Sequence, residues 1–468
     1  MYMKKNIILI LIILLGTTLI TLNATKKQVY DGDELYTYTL ANSKTHGFIT
    51  QNIKQEEWNK SADLKNAFAL NNDEILSFVS IYKNQAGDVH PPFYYLIFHI
   101  ASIISLNNFT ILPGIVVNII SYIILMIYLY KISEQLLNKK EKYIPCLLYT
   151  LSIGMLSTAL FIRMYMMFSM FTVMFTYYFI NKEKHPIKLA ITTYLGFMTH
   201  YFFLIYAFFI SLIYLIQQLI NKNKENMIKY MKTIIPPVVL GFITFPFAYL
   251  HIFKGYRGAE TQENLINSNI LDNLKSIIET LNKEIFFIPI LLLIAISLKK
   301  QKQKKPVIII TISTILYFIV TLKIIPIQST RYFYAIYPII ILLTYYEVSI
   351  IKNQNKKISA ALVLISFAII TQIKYEPSWI GKNNKLNNKD KNIIYIIKND
   401  YETIGDSQYL MSYENIYYTT DQFKNYDIIN NSEKEIVIKT DDKDLLKRII
   451  RHTKYKIYEE YEKGYILK

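Results

Sequence analysis

Acidic, histidine and arginine side chains recur in this sequence at the borders of apolar runs, and their types match the needs of a group-transfer reaction. Asp31, Asp33 and Glu34 stand within four residues, just past the first apolar run. Three carboxylates so close repel one another, and near a surface of anionic lipids they suit a general base or a cation site; the plainer alternative is a solvated turn. Asp88 and His90 precede Pro91 and Pro92. A proline pair starts a helix and keeps the preceding residue extended, which fixes His90 at the lip of a helix; the plainer alternative is a helix start with an incidental histidine. Arg163 and Tyr165 in FIRMYMMF, His200 and Tyr201 in MTHYFF, and Arg331 and Tyr332 in QSTRYFYAIYP complete the set. Taken singly, each arginine reads as a snorkelling side chain and the His–Tyr pair as part of an aromatic belt.

The elements that must position these residues follow from composition. Of 468 residues, 52% are hydrophobic and 19% charged, with only 13 Gly and 13 Pro, which excludes a disordered or collagen-like chain. The apolar residues come in blocks too long for core strands, as membrane spans require. Residues 7–22 follow Lys4 and Lys5 in the manner of a signal peptide, but a cut after Ala24 puts Leu22 where a small residue is wanted, so an uncleaved first span is expected. Further blocks lie at residues 111–130, 143–161, 164–180, 187–199, 201–220, 233–253, 285–298, 306–322, 332–351 and 358–373, making about eleven. Residues 91–106 open with two prolines, carry His99 and are short for a span, so they are read as an interfacial helix.

With that assignment the lysine-rich loops all fall on the side of the N-terminus, among them Lys139, Lys140 and Lys142, then Lys222, Lys224, Lys229 and Lys232, then Lys299, Lys300, Lys302, Lys304 and Lys305. The positive-inside bias puts that side in the cytoplasm. The expected architecture is a polytopic α-helical membrane protein of about eleven spans in residues 1–373, with interfacial helices in a long first extracytoplasmic loop at 23–90. A small extracytoplasmic α/β domain at 374–468 follows. In the loop, residues 62–82 look helical; in the tail, Ile393, Ile394, Ile396 and Ile397 have helical spacing, 435–440 reads as a strand, 441–452 as a helix, and 382–391 as a linker. Residues 375–468 hold sixteen Lys and Arg against sixteen Asp and Glu, so the net charge of +17 resides in the membrane part. The basic balance is therefore topology and not a nucleic-acid footprint. Cys146 is the sole cysteine, which excludes an intramolecular disulfide and a cysteine-based metal centre.

On this topology five polar sites, distant in sequence, converge on one face of the bilayer, which chance snorkelling does not predict. Carboxylates, histidines and arginines gathered there suit a reaction between a polar acceptor and a lipid-linked anionic donor. The chain resembles the C-type membrane glycosyltransferases, the superfamily of the protein O-mannosyltransferases and the lipid A aminoarabinose transferases. The resemblance rests on Asp33 and Glu34 after the first span, HPPFYYLIFH at 90–99, RMYMM at 163–167, THYF at 199–202 and TRYFYAIYP at 330–338, and it covers most of residues 1–373. It implies transfer of a sugar from a polyprenyl-phosphate carrier to a hydroxyl of an envelope lipid, glycan or protein on the outer face of a bacterial plasma membrane. In that scheme Asp33 is the base and Glu34 orients hydroxyls, while Arg163 and Arg331 receive the leaving phosphate. Asp31, Asp88, His90, Tyr165, His200, Tyr201 and Tyr332 line the substrates. No cofactor is required; a divalent metal on Asp33, Glu34 and a histidine is compatible, but no spacing demands one.

Two alternatives stand beside this reading. A transporter or flippase of lipid-linked glycans also needs many spans, but it puts ionisable residues near mid-bilayer or uses paired broken helices. A polymerase of lipid-linked glycans is a second alternative, against which the early Asp33 and Glu34 pair counts.

Overall fold

The computed structural model describes residues 6–44, 53–285, 304–381 and 388–468. The chain forms two compact units: one of Met1–Lys26, Asp88–Ile97 and Gly114–Ile380, the other of Lys27–Gly87, Phe98–Pro113 and Gly381–Lys468.

The first unit is helical. Among the described residues six helices are long and apolar enough to cross a membrane: Ile7–Ala24, Leu112–Leu136, Phe202–Ile220, Lys224–Thr244, Lys305–Ile324 and Gln354–Lys374. At 18 to 25 residues they run roughly 27 to 38 Å, against a hydrocarbon core of about 30 Å. Their outward side chains, such as Leu11, Ile243, Val363 and Ile373, are apolar and exposed, which suits contact with lipid rather than water. The protein is thus a multi-pass membrane protein. The expected span at 285–298 lies almost wholly outside the described residues, as do Lys299, Lys300 and Lys302.

Several expected spans are interrupted, and one interruption, a 3-10 segment, carries Arg331 and Tyr332. The block at 143–161 is two half-helices, Ile144–Leu151 and Ile153–Leu160, broken where Ser152 turns extended and its Oγ accepts from Met155 N at 3.2 Å. Gly154 permits the break to pack, since a Cβ there would meet the Tyr337 ring at 2.7 Å. The block at 233–253 breaks at Phe245, between Lys224–Thr244 and Phe247–Phe253. The block at 332–351 starts with a 3-10 segment, Thr330–Ile336, before the helix Tyr337–Ser349. Residues 91–106 form a ten-residue helix, Phe93–Ser102, and a 3-10 turn, Ile103–Ser105. Ten residues reach only about 15 Å, too short to cross.

The second unit holds a six-stranded sheet of β1 (Trp58–Lys60), β2 (Asn388–Ile396), β3 (Tyr413–Thr419), β4 (Glu435–Lys439), β5 (Tyr458–Tyr461) and β6 (Gly464–Leu467), in the order β1-β3-β2-β4-β6-β5. β2 pairs parallel with β3 and β4, and the other pairs are antiparallel. The strand at 435–440 and the helix at 441–452 are where the sequence indicates, as β4 and Lys443–His452. Ile393, Ile394 and Ile396 are a correction: they lie in a strand, not a helix. A central parallel strand buries both faces, so its continuous isoleucines satisfy a helical spacing without being helical. Residues 388–391 are likewise strand rather than linker, and 382–387 lie outside the described residues. The helical stretch read at 62–82 is three pieces, Ser61–Asn66, Asn72–Glu74 and Phe78–Gly87, with Leu76 in the left-handed region at φ 61° between the last two. The tail's sheet also recruits β1 from the first loop: Trp58 pairs with Tyr417 and Lys60 with Asn415.

Candidate functional site

The first unit gathers seven of the expected site residues around an aromatic floor. Arg163 sits in the turn between the half-helix Ile153–Leu160 and the helix Tyr165–Ile180, and its guanidinium donates to Tyr95 Oη at 2.9 Å and lies 3.5 Å from His90 Nδ1. His90 in turn meets the Asp88 carboxylate at 2.9 Å. Burial pushes the Asp88 carboxyl up, but the bond to His90 and the charges of His90 and Arg163 outweigh it and hold it down at about 2. Arg331, on the 3-10 segment, donates to Tyr332 Oη at 3.4 Å and lies 5.3 Å from the Tyr332 ring centre and 5.9 Å from that of Phe161. Phe161 stacks on Tyr165 at 5.5 Å, and Tyr165 meets Tyr332 edge-on at 6.4 Å. Arg163 and Arg331 are 4% and 7% exposed, so neither snorkels to a boundary.

His200 occupies the tight turn before Phe202–Ile220. Its ring stacks on Phe168 at 4.7 Å, stands 5.5 Å from Tyr165 and 6.1 Å from His90. Its Nδ1 accepts from Phe202 N at 3.1 Å, which leaves any ring proton on Nε2. Burial, then the charges of His90, Arg163 and Arg331, push its pKa well below the ordinary histidine value. His200 is therefore a neutral donor. Tyr201 is turned to another partner, His251 Nδ1, at 2.8 Å.

A buried acid lies behind this cluster. Glu284, near the end of the helix Ile270–Ile285, is 1% exposed and accepts from Tyr337 Oη at 2.5 Å, Tyr334 Oη at 3.2 Å and Ser378 Oγ at 3.2 Å. Tyr334 Oη accepts in turn from Trp379 Nε1 at 3.0 Å, and the Trp379 ring stacks on Phe161 at 4.0 Å, with a backbone φ of 73°. A bulky residue in the left-handed region is a local strain that its surroundings must hold. Glu284, Tyr334 and Trp379 thus brace the ring beneath Arg331. Sequence reasoning missed these residues along with Tyr95, Phe161 and Phe168; the available signals were a carboxylate directly abutting an apolar run and one of only two tryptophans.

The three early acids belong to the second unit, on the helix Gly32–Asn42. Asp31 caps that helix, its Oδ1 accepting from Asp33 N at 2.9 Å, and Glu34 completes the capping box by accepting from Asp31 N at 2.8 Å. Glu34 is fully buried and pairs with Lys27 at 2.9 Å. Two of the three carboxylates thus serve the helix start, while Asp33 remains partly exposed on its first turn. Among the described residues no group of three or more His, Cys, Asp and Glu side chains is placed to hold a metal ion.

The sequence model of the EpsG family matches residues 68–381. The fold matches the crystal structure of ArnT from Cupriavidus metallidurans bound to undecaprenyl phosphate, with a TM-score of 0.58 at 8% identity, covering 98% of this chain and 97% of that one. No curated protein matches the chain.

Proposed function

We infer the activity from one premise: the chain belongs to the EpsG family and has the fold of the C-type membrane glycosyltransferases, enzymes or polymerases acting on lipid-linked sugars. The reading proposed is transfer of a sugar from a polyprenyl-phosphate carrier to a hydroxyl acceptor at the outer face of the plasma membrane. The observation that carries it is the pair of buried arginines, Arg163 and Arg331, around an aromatic floor with a neutral histidine. Such a constellation suits an anion on an apolar carrier. That the structurally similar ArnT was crystallised with undecaprenyl phosphate supports this donor class.

In the proposed reaction the acceptor oxygen attacks the anomeric carbon and gives its proton to Asp33. The bond from that carbon to the phosphate oxygen breaks, its electron pair leaves on the phosphate, and in-line displacement inverts the carbon. Arg331 and Arg163 meet the growing charge, and the proton on His200 Nε2 is a further donor to it. Asp88 holds His90 beside Arg163; Tyr165 and Tyr332 flank the sugar, with Tyr201 outside them. Glu34 and Asp31 position the turn that carries Asp33. No metal enters these steps. The N-terminus is placed in the cytoplasm and the second unit outside it, on the lysine bias of the short loops.

A polymerase of lipid-linked glycans is the same chemistry with a second lipid-linked glycan as acceptor, and the family match favours keeping it as the alternative. A flippase finds support in the broken helices at Ser152 and Phe245, but the two half-helices at Ser152 carry no charged side chain. The test is release of sugar from a synthetic polyprenyl-phosphate donor by the purified protein. Asp33→Asn should insert normally and lose about 10²- to 10⁴-fold in rate, the span of a general base. Full activity in Asp31→Asn, Asp33→Asn and Glu34→Gln alike would remove this mechanism.

A further inference from the structure

We propose that the second unit carries a glycan-binding cleft, suited to a neutral or amine-bearing oligosaccharide, at the open end of its sheet. This rests on the reading above only in taking the acceptor to be a glycan. The cleft has a volume of about 480 Å³. The core of this unit, including Ile394, Tyr417, Ile436 and Leu446, fills one part of the same sheet face, and the cleft opens where Asn392 and Asn415 replace those apolar side chains.

Three features match sugar chemistry. A pyranose has an apolar C–H face and a rim of hydroxyls, so it is bound by an aromatic ring and by amides with spare hydrogen-bonding capacity. Trp58 supplies the ring: it lies on the short edge strand β1, braced edge-on against Tyr417 at 5.4 Å, and is 38% exposed. Left only to packing, an exposed tryptophan on an edge strand is a liability. Asn392 and Asn415 supply the amides. Asn415 Nδ2 donates to Asn392 Oδ1 at 2.9 Å, Asn392 Nδ2 to Ser432 Oγ at 3.2 Å, and Lys60 Nζ to Asn415 Oδ1 at 2.9 Å. Each amide nitrogen keeps a second hydrogen, and each is held in one orientation by bonds already made.

Charge sets the ligand class. Among the described residues the Asp427 and Glu433 carboxylates on the rim pair with no side chain, whereas Lys434 is paired with Glu414 at 2.6 Å. The lining is therefore net negative and repels an acidic glycan or a phosphate.

Two tryptophans, Trp58 and Trp379, are present in the chain, so the difference in fluorescence between wild type and Trp58→Phe isolates the cleft. The full chain in detergent is titrated with maltotriose, chitotriose, the chitosan trimer and trigalacturonate, without any lipid donor. A saturable Trp58 signal is expected with at least one of the first three, weakened about tenfold or more in Asn415→Ala, and absent with trigalacturonate. Asp427→Lys, an exposed position, should shift the preference toward the acidic trimer. No saturable signal with any trisaccharide, equal affinity in Asn415→Ala, or no shift in Asp427→Lys would overturn the proposal. Because binding is read without donor, a failed cleft and a failed transferase are separate results.

Discussion

Asp88 offers the sharpest test of the cluster, because the structure sets a magnitude for it. Its carboxyl is held at about 2 against an ordinary 3.8 by His90 and Arg163, despite the opposing effect of burial. A carboxyl held that low contributes roughly 2 to 3 kcal/mol to the folded state. The sign is that of a depressed acid: the contribution is complete above the unfolded value near 4 and fades as pH falls through about 2, so at pH 7 it is fully present. Asp88→Asn keeps the shape and one acceptor but removes the charge, and should cost about 2 kcal/mol at pH 7 in chemical unfolding from mixed detergent micelles. Arg163 and His90 are the causes of the shift, so the loss must be shared with them. A cycle of Asp88→Asn and His90→Gln, singly and together, should show a coupling of about 1 kcal/mol or more, as groups in one network do. Turnover should fall alongside, since Arg163 loses the neighbour that fixes its surroundings. Unchanged stability in Asp88→Asn, or additive effects across the cycle, would refute the ion-pair network and with it the preorganisation of Arg163.

Arg331→Lys keeps a charge but loses the two-pronged planar contact, so it should lower turnover while retaining some donor binding; Arg331→Ala should lose both, by about 3 kcal/mol in transition-state terms, and three equal rates would show that Arg331 does not touch phosphate. Glu284→Gln replaces one of two acceptor oxygens with a donor facing tyrosine and serine hydroxyls, and should destabilise by about 1 to 3 kcal/mol with a shift in Trp379 emission. A reporter fused after Lys468 should read as extracytoplasmic; a cytoplasmic result would reverse the proposed orientation.

The sequence made the membrane helices legible because lipid demands apolarity along a whole span, and such runs leave no ambiguity of period. It hid the breaks, since Ser152 is a single small residue inside an apolar run and its capping of Met155 is a local choice that composition does not register. It hid β1 as well, because the pairing of Trp58 with Tyr417 joins segments more than three hundred residues apart. The arginines of the site were legible for the opposite reason: a charge beside an apolar run needs a cause. Glu284 was not, because it ends an amphipathic helix already marked by Glu279 and Lys283, where one more acid looks like solvated surface. The early acids were legible as a group but not in role. Asp31 and Glu34 have the spacing of a capping box, and that local function accounts for two of the three carboxylates before any chemistry is invoked.

The charge inventory of the first unit bears on how the proposed reaction gains rate. A phosphodiester donor carries one negative charge, and its carrier phosphate leaves with a second. Arg163 and Arg331 supply two permanent positive charges, His200 is neutral, and the Asp88 carboxylate is spent on His90. Two cations match the departing phosphate better than the intact donor, so their attraction grows along the reaction, which is the condition for lowering a barrier rather than merely tightening binding. The aromatic floor adds to this: Phe161, Tyr165 and Tyr332 keep water from the guanidiniums without neutralising them, and burial strengthens each remaining interaction. The same reasoning explains why the brace behind the site ends in hydroxyl donors. Glu284 faces tyrosine and serine hydroxyls rather than the arginines, so its two oxygens are satisfied locally, and in the proposed reaction it does not compete with the phosphate for Arg331.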